Sequence, residues 1–139
     1  MAYFVWADDM VIDNGPIDQD HQKLIGQVNQ LHTATIEGRG HEVLGKLLQA
    51  LLQDTAEHIR REEHFMAQIG YPRLAQHQEG HASFVADLQA LQRKFEAGGI
   101  TVAAQLSTLL RDWLSVHIRR YDKDILTFMQ QQRRAPARA

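Results

Sequence analysis

Histidine and carboxylate side chains recur in this sequence at a spacing of four residues. His77 and His81 form one pair with this spacing, and His58 and Glu62 form another. Residues four apart on an α-helix lie about 40° apart round the axis and about 6 Å apart along it. Two side chains in that arrangement can bind the same metal ion, so the spacing predicts a metal site built on helices.

Two further stretches of the chain carry residues of the same kind. His21 stands near the start of an early amphipathic segment, while His117 lies within the last one and is followed five residues later by Asp122. If the segments are antiparallel helices joined by short turns, all of these positions fall at one end of a bundle. The predicted metal-binding residues are His21, His58, Glu62, His77, His81, His117 and Asp122.

Hydrogen-bonded histidines in a core are the structural alternative to a metal site. Burying this many polar groups without strong partners costs several kcal/mol, and metal coordination is the ordinary way to satisfy them. Nitrogen-rich ligands without cysteine are compatible with iron, zinc, copper or nickel. Seven donors suit two bridged ions of the six-coordinate type better than they suit zinc, which usually takes four ligands.

The two carboxylates are the natural bridges, since a carboxylate can offer one oxygen to each ion. Glu62 shares a helical face with His58. Five residues of α-helix turn Asp122 about 140° away from His117. We therefore expect Asp122 to reach sideways between the ions instead of sharing the face of His117.

The remaining histidines fail the same test of position. His32 lies on the face of His21 but about 16 Å further along the helix axis. His41 belongs to the opposite end of the predicted bundle, and His64 should face solvent. None of the three is expected to reach the site.

Four amphipathic segments with a 3- to 4-residue apolar repeat must position these side chains. The repeat predicts an all-α, left-handed, up-down-up-down four-helix bundle with crossing angles near +20°. Asp18 is the predicted N-cap of the first helix and Thr101 that of the last. We expect a bundle over residues 1–129 that begins with an extended arm over residues 1–17. A flexible polar tail should follow over residues 130–139.

The composition excludes several classes of function. A chain of 139 residues indicates one domain, and its net charge of −2 gives no long-range attraction to nucleic acid. The absence of cysteine excludes disulfides, thiolate zinc sites and iron–sulfur clusters. No apolar run is long enough for a transmembrane helix, and the N-terminus lacks the pattern of a signal peptide. We expect a cytoplasmic monomer.

With these residues in place, the sequence resembles the hemerythrin family, in particular the single-domain bacteriohemerythrins. The resemblance covers about residues 6–129, and each predicted metal-binding position is filled. The motifs that carry it are Trp6, Ile17-Asp18-x-x-His21-x-x-Leu24, His58-x-x-x-Glu62, Tyr71-Pro72, His77-x-x-x-His81-x-x-Phe84 and Trp113-Leu114-x-x-His117-Ile118-x-x-x-Asp122.

The resemblance implies a non-haem centre of two iron ions that binds O2 reversibly. It assigns His77, His81 and His117 to one iron and His21 and His58 to the other. Glu62 and Asp122 then bridge, together with an oxo or hydroxo group. The iron with two histidines holds O2 as hydroperoxide. Candidates for an apolar wall that keeps water from bound O2 are Leu24, Ile25, Ile59, Leu110, Trp113 and Leu114.

Other functions remain open from the sequence. A ferritin-like oxidase is the enzyme alternative, but such bundles use Glu-x-x-His pairs, which this sequence lacks. Five histidines to two carboxylates favour binding O2 over activating it, so we expect no enzyme. A sensor of O2 or redox state is the second alternative, although the chain ends soon after the bundle and we expect no output domain. Iron storage or donation and NO binding also stay open, and an O2-consuming enzyme is the protein partner considered.

Overall fold

The computed structural model describes residues 3–134, without the side chain of Arg134. A 3-10 turn, Asp8–Met10, interrupts the N-terminal arm. A π-helical segment, His117–Asp122, joins the last two α-helices into one continuous rod. The α-helices are α1 (Pro16–Ile36), α2 (Gly40–Gln68), α3 (Leu74–Glu96), α4 (Val102–Val116) and α5 (Lys123–Arg134).

These helices form an all-α four-helix bundle, as predicted. Helix α1 packs against α2 and α4, and α3 packs against the same two neighbours. The structure contains no β-strand within the described residues. Among those residues, no helix combines the length and the apolar character needed to cross a lipid bilayer.

The turn after α2 sets the level of the histidine pairs. Gly70 has φ 69°, a left-handed conformation that glycine adopts without strain, and the amide of Tyr71 donates to the carbonyl of Met66 over 2.9 Å. This tight ending reverses the chain into α3. The end of α2 and the start of α3 therefore lie side by side.

Helix α1 begins earlier than predicted, at Pro16, and Asp18 is not its N-cap. The carboxylate of Asp13 instead accepts hydrogen bonds from the amides of Ile17 and Asp18, both over 3.1 Å. The carboxylate of Asp18 accepts from the arm, from the amide of Ile12 over 2.9 Å. Gly15 is the N-cap residue, so Asp13 serves the first amides of the helix from two residues further upstream, while Asp18 binds the arm.

The N-terminal arm lies across the bundle, with its aromatic residues against it. Phe4 is buried, and its backbone exchanges two hydrogen bonds with the side-chain amide of Asn29, over 2.8 and 2.7 Å. Tyr3 stacks on His32 with 3.5 Å between ring centroids. Trp6 packs against the core, whereas Val5 is exposed. The arm thus closes the side of the bundle formed by α1 and α4.

The π-helical segment corrects the expected placement of Asp122. Hydrogen bonds in a π-helix join residues five apart, so His117 and Asp122 come to lie above one another instead of 140° apart. Both side chains are buried and point to the same interior space, with 2.9 Å between His117 Nε2 and Asp122 Oδ1. The five-residue spacing is therefore a feature of one helical face.

Two apolar clusters lie on either side of this polar space. The larger cluster extends from the arm through the bundle, away from the turn between α2 and α3, and includes Phe84 and Leu110. The smaller cluster lies at the end of the bundle that contains this turn, around Met66, Tyr71 and Ile125. Helix α5 continues to Arg134, five residues into the segment predicted as a flexible tail, while residues 135–139 lie outside the described part of the chain.

Candidate metal centre

The seven predicted side chains meet in one buried space between the two apolar clusters. Helix α1 supplies His21, α2 supplies two residues, α3 supplies two, and the π-helical segment supplies the last two. Their donor atoms form two groups that share Glu62, with all donors in a group within 4.8 Å of one another. One group is Glu62, His77, His81 and His117, and the other is His21, His58, Glu62 and Asp122.

Each carboxylate faces both groups, one oxygen to each. Oε1 of Glu62 lies 2.8 Å from His77 Nε2, and its Oε2 lies 3.0 Å from His58 Nε2. Oδ1 of Asp122 lies 2.8 Å from His77 Nε2, and its Oδ2 lies 3.1 Å from His21 Nε2. This is the arrangement that two bridging carboxylates require.

The distances between ring nitrogens in this space match those between ligands of one metal ion. Nε2 of His21 and Nε2 of His58 are 3.0 Å apart, and those of His81 and His117 are 3.2 Å apart. Metal–imidazole bonds are about 2.0–2.1 Å long for zinc, and two such bonds at right angles place their donors about 3 Å apart. The nitrogen pairs therefore have the spacing of neighbouring ligands on one ion.

Three buried atoms in the space lack a hydrogen-bond partner within the described residues: Oε2 of Glu62, Oδ2 of Asp122 and Nδ1 of His21. Oε2 of Glu62 is close to His58 but without the geometry of a hydrogen bond. Buried carboxylate oxygens without donors are costly unless a cation satisfies them. The residues present thus fit a pair of metal ions.

Two outer carboxylates hold histidine rings by the nitrogen that faces away from the centre. Nδ1 of His81 lies 2.8 Å from Oε2 of Glu63, and Nδ1 of His58 lies 3.4 Å from Oδ2 of Asp20. Asp20 also pairs with Arg61. Such contacts fix the ring orientation and the tautomer, and they make Nε2 a better donor.

The buried histidines and carboxylates shift one another's pKa values. Burial alone lowers the pKa of His21 and of His77, but the neighbouring carboxylates of Asp122 and Glu62 raise both to about 9. Burial also lowers the pKa of His117, but the nearby carboxylates of Asp122 and Glu62 together have the larger effect and raise that pKa to about 8. Burial raises the pKa of Glu62, yet the surrounding histidines lower it well below its usual range. In the metal-free protein, these raised values favour protonated imidazoles beside the two carboxylates.

The predicted apolar wall is mostly buried beside the centre. Leu24, Ile25, Leu110 and Leu114 belong to the larger apolar cluster and lie within two helical turns of His21 or His117. Trp113 is half-buried and stacks on His117, with 4.1 Å between ring centroids and 13° between planes. Ile59 is half-buried and lies in neither cluster.

The other three histidines lie away from the centre, as expected. His32 stacks on Tyr3 of the arm, His41 is exposed beside Phe95, and His64 is exposed on α2. Sequence reasoning missed Glu63 and Asp20. Each is adjacent in sequence to a predicted ligand. Their contacts with Nδ1 of His81 and of His58 depend on how the packed helices are rotated, which the sequence does not show.

A buried cluster of histidines and carboxylates that could hold metal ions, inside a four-helix bundle, is typical of a class of metal-binding protein, and comparison with known proteins specifies the family. Residues 15–129 match the model of the hemerythrin HHE cation binding domain. The chain belongs to the hemerythrin family, which confirms the resemblance predicted from the motifs.

Several similar proteins are named bacteriohemerythrins. That of Methylococcus capsulatus is 35% identical over 124 residues, which cover 88% of this chain and 94% of the relative. That of Stenotrophomonas maltophilia is 33% identical over 123 residues, covering 88% and 79%. That of Pseudomonas aeruginosa is 32% identical over 122 residues, covering 88% and 78%.

Proposed function

We propose that this protein binds O2 reversibly at a centre of two iron ions with an oxo or hydroxo group between them. The observation that carries the proposal is the division of the carboxylate oxygens. Glu62 and Asp122 each present one oxygen to the three-histidine group and the other to the two-histidine group. Membership of the hemerythrin family supports iron as the metal.

The two groups differ in the number of donors that the protein provides. His77, His81 and His117 would hold one iron, while His21 and His58 would hold the other. The second ion has one protein donor fewer, which leaves room for O2. When bound, the pair of ferrous ions supplies the two electrons that O2 accepts reversibly.

The protein orients the histidine rings and keeps water away from the centre. Glu63 and Asp20 hold the rings of His81 and His58 in place. Leu114 and Leu24 are buried on the helical turns next to the two groups. An apolar wall there excludes the water and protons that would release reduced O2 and leave the irons oxidised.

We infer binding and release of O2, without turnover, as the activity. Five imidazoles against two carboxylates make a nitrogen-rich centre, unlike the carboxylate-rich centres of ferritin-like oxidases. We further propose that the protein is a monomeric carrier or store in the cytoplasm and delivers O2 to an O2-consuming enzyme.

Anaerobic loading with Fe(II) tests the proposal directly. We expect two irons per chain, a new absorption spectrum on exposure to O2, and return of the starting spectrum when O2 is removed. One ion per chain, or zinc alone in protein produced with ample iron, would contradict the di-iron centre. A spectrum that never returns would contradict reversible binding.

Paired variants separate the centre from histidines elsewhere. His81→Ala and Glu62→Ala should abolish the oxygenated spectrum and lower the melting temperature, because metal binding stabilises the folded state. His32→Ala and His64→Ala should leave the spectrum intact. Equal losses in all four variants would show that the assignment of the site is wrong.

A further inference from the structure

A surface groove between α3 and the rod formed by α4 and the π-helical segment reaches two of the seven donor residues. Its volume is about 440 Å³, and His77 and His117 form part of its lining. Both residues are 6% exposed, whereas the other five donor residues are at most 1% exposed. The groove is thus where a molecule from solvent can touch a ring of the candidate metal centre.

A glycine keeps this groove open. Gly80 lies inside α3 and lines the groove, and a Cβ added there would meet no atom within 4 Å. Glycine inside a helix is less stable than alanine, because its backbone loses more freedom on folding. No packing contact explains its presence. A side chain at this position would stand in the groove.

Aromatic rings form half of the lining of the groove, beside Gln76, Gly80, Ser83 and Val116. The indole of Trp113 stacks on His117, and the ring of Tyr121 lies 6.1 Å from His117 and 6.5 Å from His77, centroid to centroid. Tyr121 is 51% exposed and Val116 is 53% exposed. A concave site of this size with aromatic walls fits a small planar aromatic molecule.

A second recess of about 430 Å³ adjoins the groove across His77 and Tyr121 and carries positive charge. Arg120 lies over the ring of Tyr121, with 5.8 Å from its Cζ to the ring centroid. Arg73 and Tyr71 both donate to Asp124 in the same recess, so the charge of that carboxylate is compensated. The recess therefore favours an anionic group on the bound molecule.

We propose that the groove binds a small planar hydroquinone with an anionic group, and that its electrons pass through the rings of His77 and His117 to the metal centre. This inference rests on the proposed function. A reversible O2 carrier that loses its electrons becomes diferric and inactive, and the chain has no cysteine with which to build another redox centre. The donor loses two electrons and two protons to become a quinone, each ferric ion gains one electron, and the protons go to solvent.

The test uses naphthohydroquinone sulfonate and the diferric protein. Gly80→Leu fills the groove, and Gly26→Leu is the matched control, because Gly26 is also exposed inside a helix with no atom within 4 Å of an added Cβ. Anaerobic stopped-flow should show reduction of Gly80→Leu slowed about tenfold or more, with Gly26→Leu like the parent. Calorimetry with the oxidised quinone should show binding weakened to a similar degree in Gly80→Leu alone.

Arg120→Glu gives an independent test of the charged recess. It should slow reduction by the sulfonated donor and leave reduction by the uncharged naphthohydroquinone at the parent rate. Iron content and melting temperature of every variant should match or exceed those of the parent, which shows that the fold is intact.

Reduction and quinone binding that are equal in Gly80→Leu and Gly26→Leu would overturn the inference. Failure of the proposed function is recognised separately, from O2 binding of the parent protein that does not reverse. Calorimetry still measures quinone binding in that case, and a loss confined to Gly80→Leu would support the groove as the binding site.

Discussion

At the scale of single residues, the outer carboxylates determine how firmly the inner rings are held. Glu63 accepts a hydrogen bond from Nδ1 of His81, so Nε2 of that ring is fixed as the donor toward the centre. Glu63→Gln keeps the shape but removes the charge. Loss of such a contact typically lowers metal affinity by about 10- to 100-fold.

We therefore expect Glu63→Gln to weaken iron binding within that range, measured by competition with a chelator of known affinity. Glu79→Gln is the matched control, because it removes the same charge from an exposed position on α3. Equal affinities in the two variants would mean that the contact of Glu63 with His81 does not contribute to metal binding.

Leu114 gives a second prediction at this scale. It is buried in the larger apolar cluster, three residues before His117, and so lies one turn along the same face. Leu114→Ala should destabilise the fold by about 2–5 kcal/mol because the side chain is fully buried, and it should admit water to the centre. Leu114→Asn would also bring in a hydrogen-bond donor.

Both variants of Leu114 should lose the oxygenated spectrum in air faster than the parent, with two irons still bound. The measurement is the decay of that spectrum at fixed pH. If both variants retain iron and decay at the parent rate, Leu114 is core packing only, and other residues exclude water.

At the scale of elements, the π-helical segment is the feature that completes the centre. Its turn aligns two residues that are five apart. Deletion of Arg120, an exposed residue within it, leaves a spacing of four between the histidine and the aspartate. An ordinary α-helix keeps residues four apart on one face.

The deletion of Arg120 should therefore be absorbed as an α-helical turn, with two irons still bound per chain. Deletion of Thr108 is the control, since it is exposed on α4, where no wide turn can absorb the change, and it rotates one part of the helix against the other by about 100°. Elemental analysis distinguishes them. Loss of iron from the Arg120 deletion would show that the wide turn itself is required.

The sequence allowed much of this arrangement to be predicted, and the failures have physical reasons. Apolar periodicity with short turns predicted the four-helix bundle, which is confirmed, and the seven side chains do meet, although their role as iron ligands stays a prediction. The predicted direction of Asp122, about 140° away from His117, was wrong because an apolar repeat of 3.6 residues gives no sign of a π-helical turn. Asp18 was wrongly predicted as the N-cap because the sequence does not show the course of the arm. In the structure, Asp13 accepts the hydrogen bonds of the first helical amides and Asp18 binds the arm.

At the scale of the whole molecule, the centre links stability to pH in opposite directions with and without iron. In the metal-free protein the pKa values of His21 and His77 are raised to about 9, and that of His117 to about 8. A raised pKa contributes stability fully below the ordinary value of about 6.5, and the contribution is lost as pH rises through the raised value. Iron binding requires neutral imidazoles and so strengthens as pH rises.

We therefore expect the melting temperature of the metal-free protein to fall between about pH 6.5 and pH 9. The stabilisation that iron adds should grow over the same range. Thermal unfolding of both forms across this window measures the difference. Parallel curves would show that the histidines do not hold protons in place of metal.

The four helical segments that meet at the centre also determine how long a metal ion stays. Each group of donors draws on several helices, and the centre is enclosed by apolar clusters on both sides. An ion cannot leave until at least one helix separates from the others, so its departure follows the rate of local opening of the bundle. Exchange of isotopically labelled iron into the protein would thus report the rate of that local opening, with a residence time set by the helices.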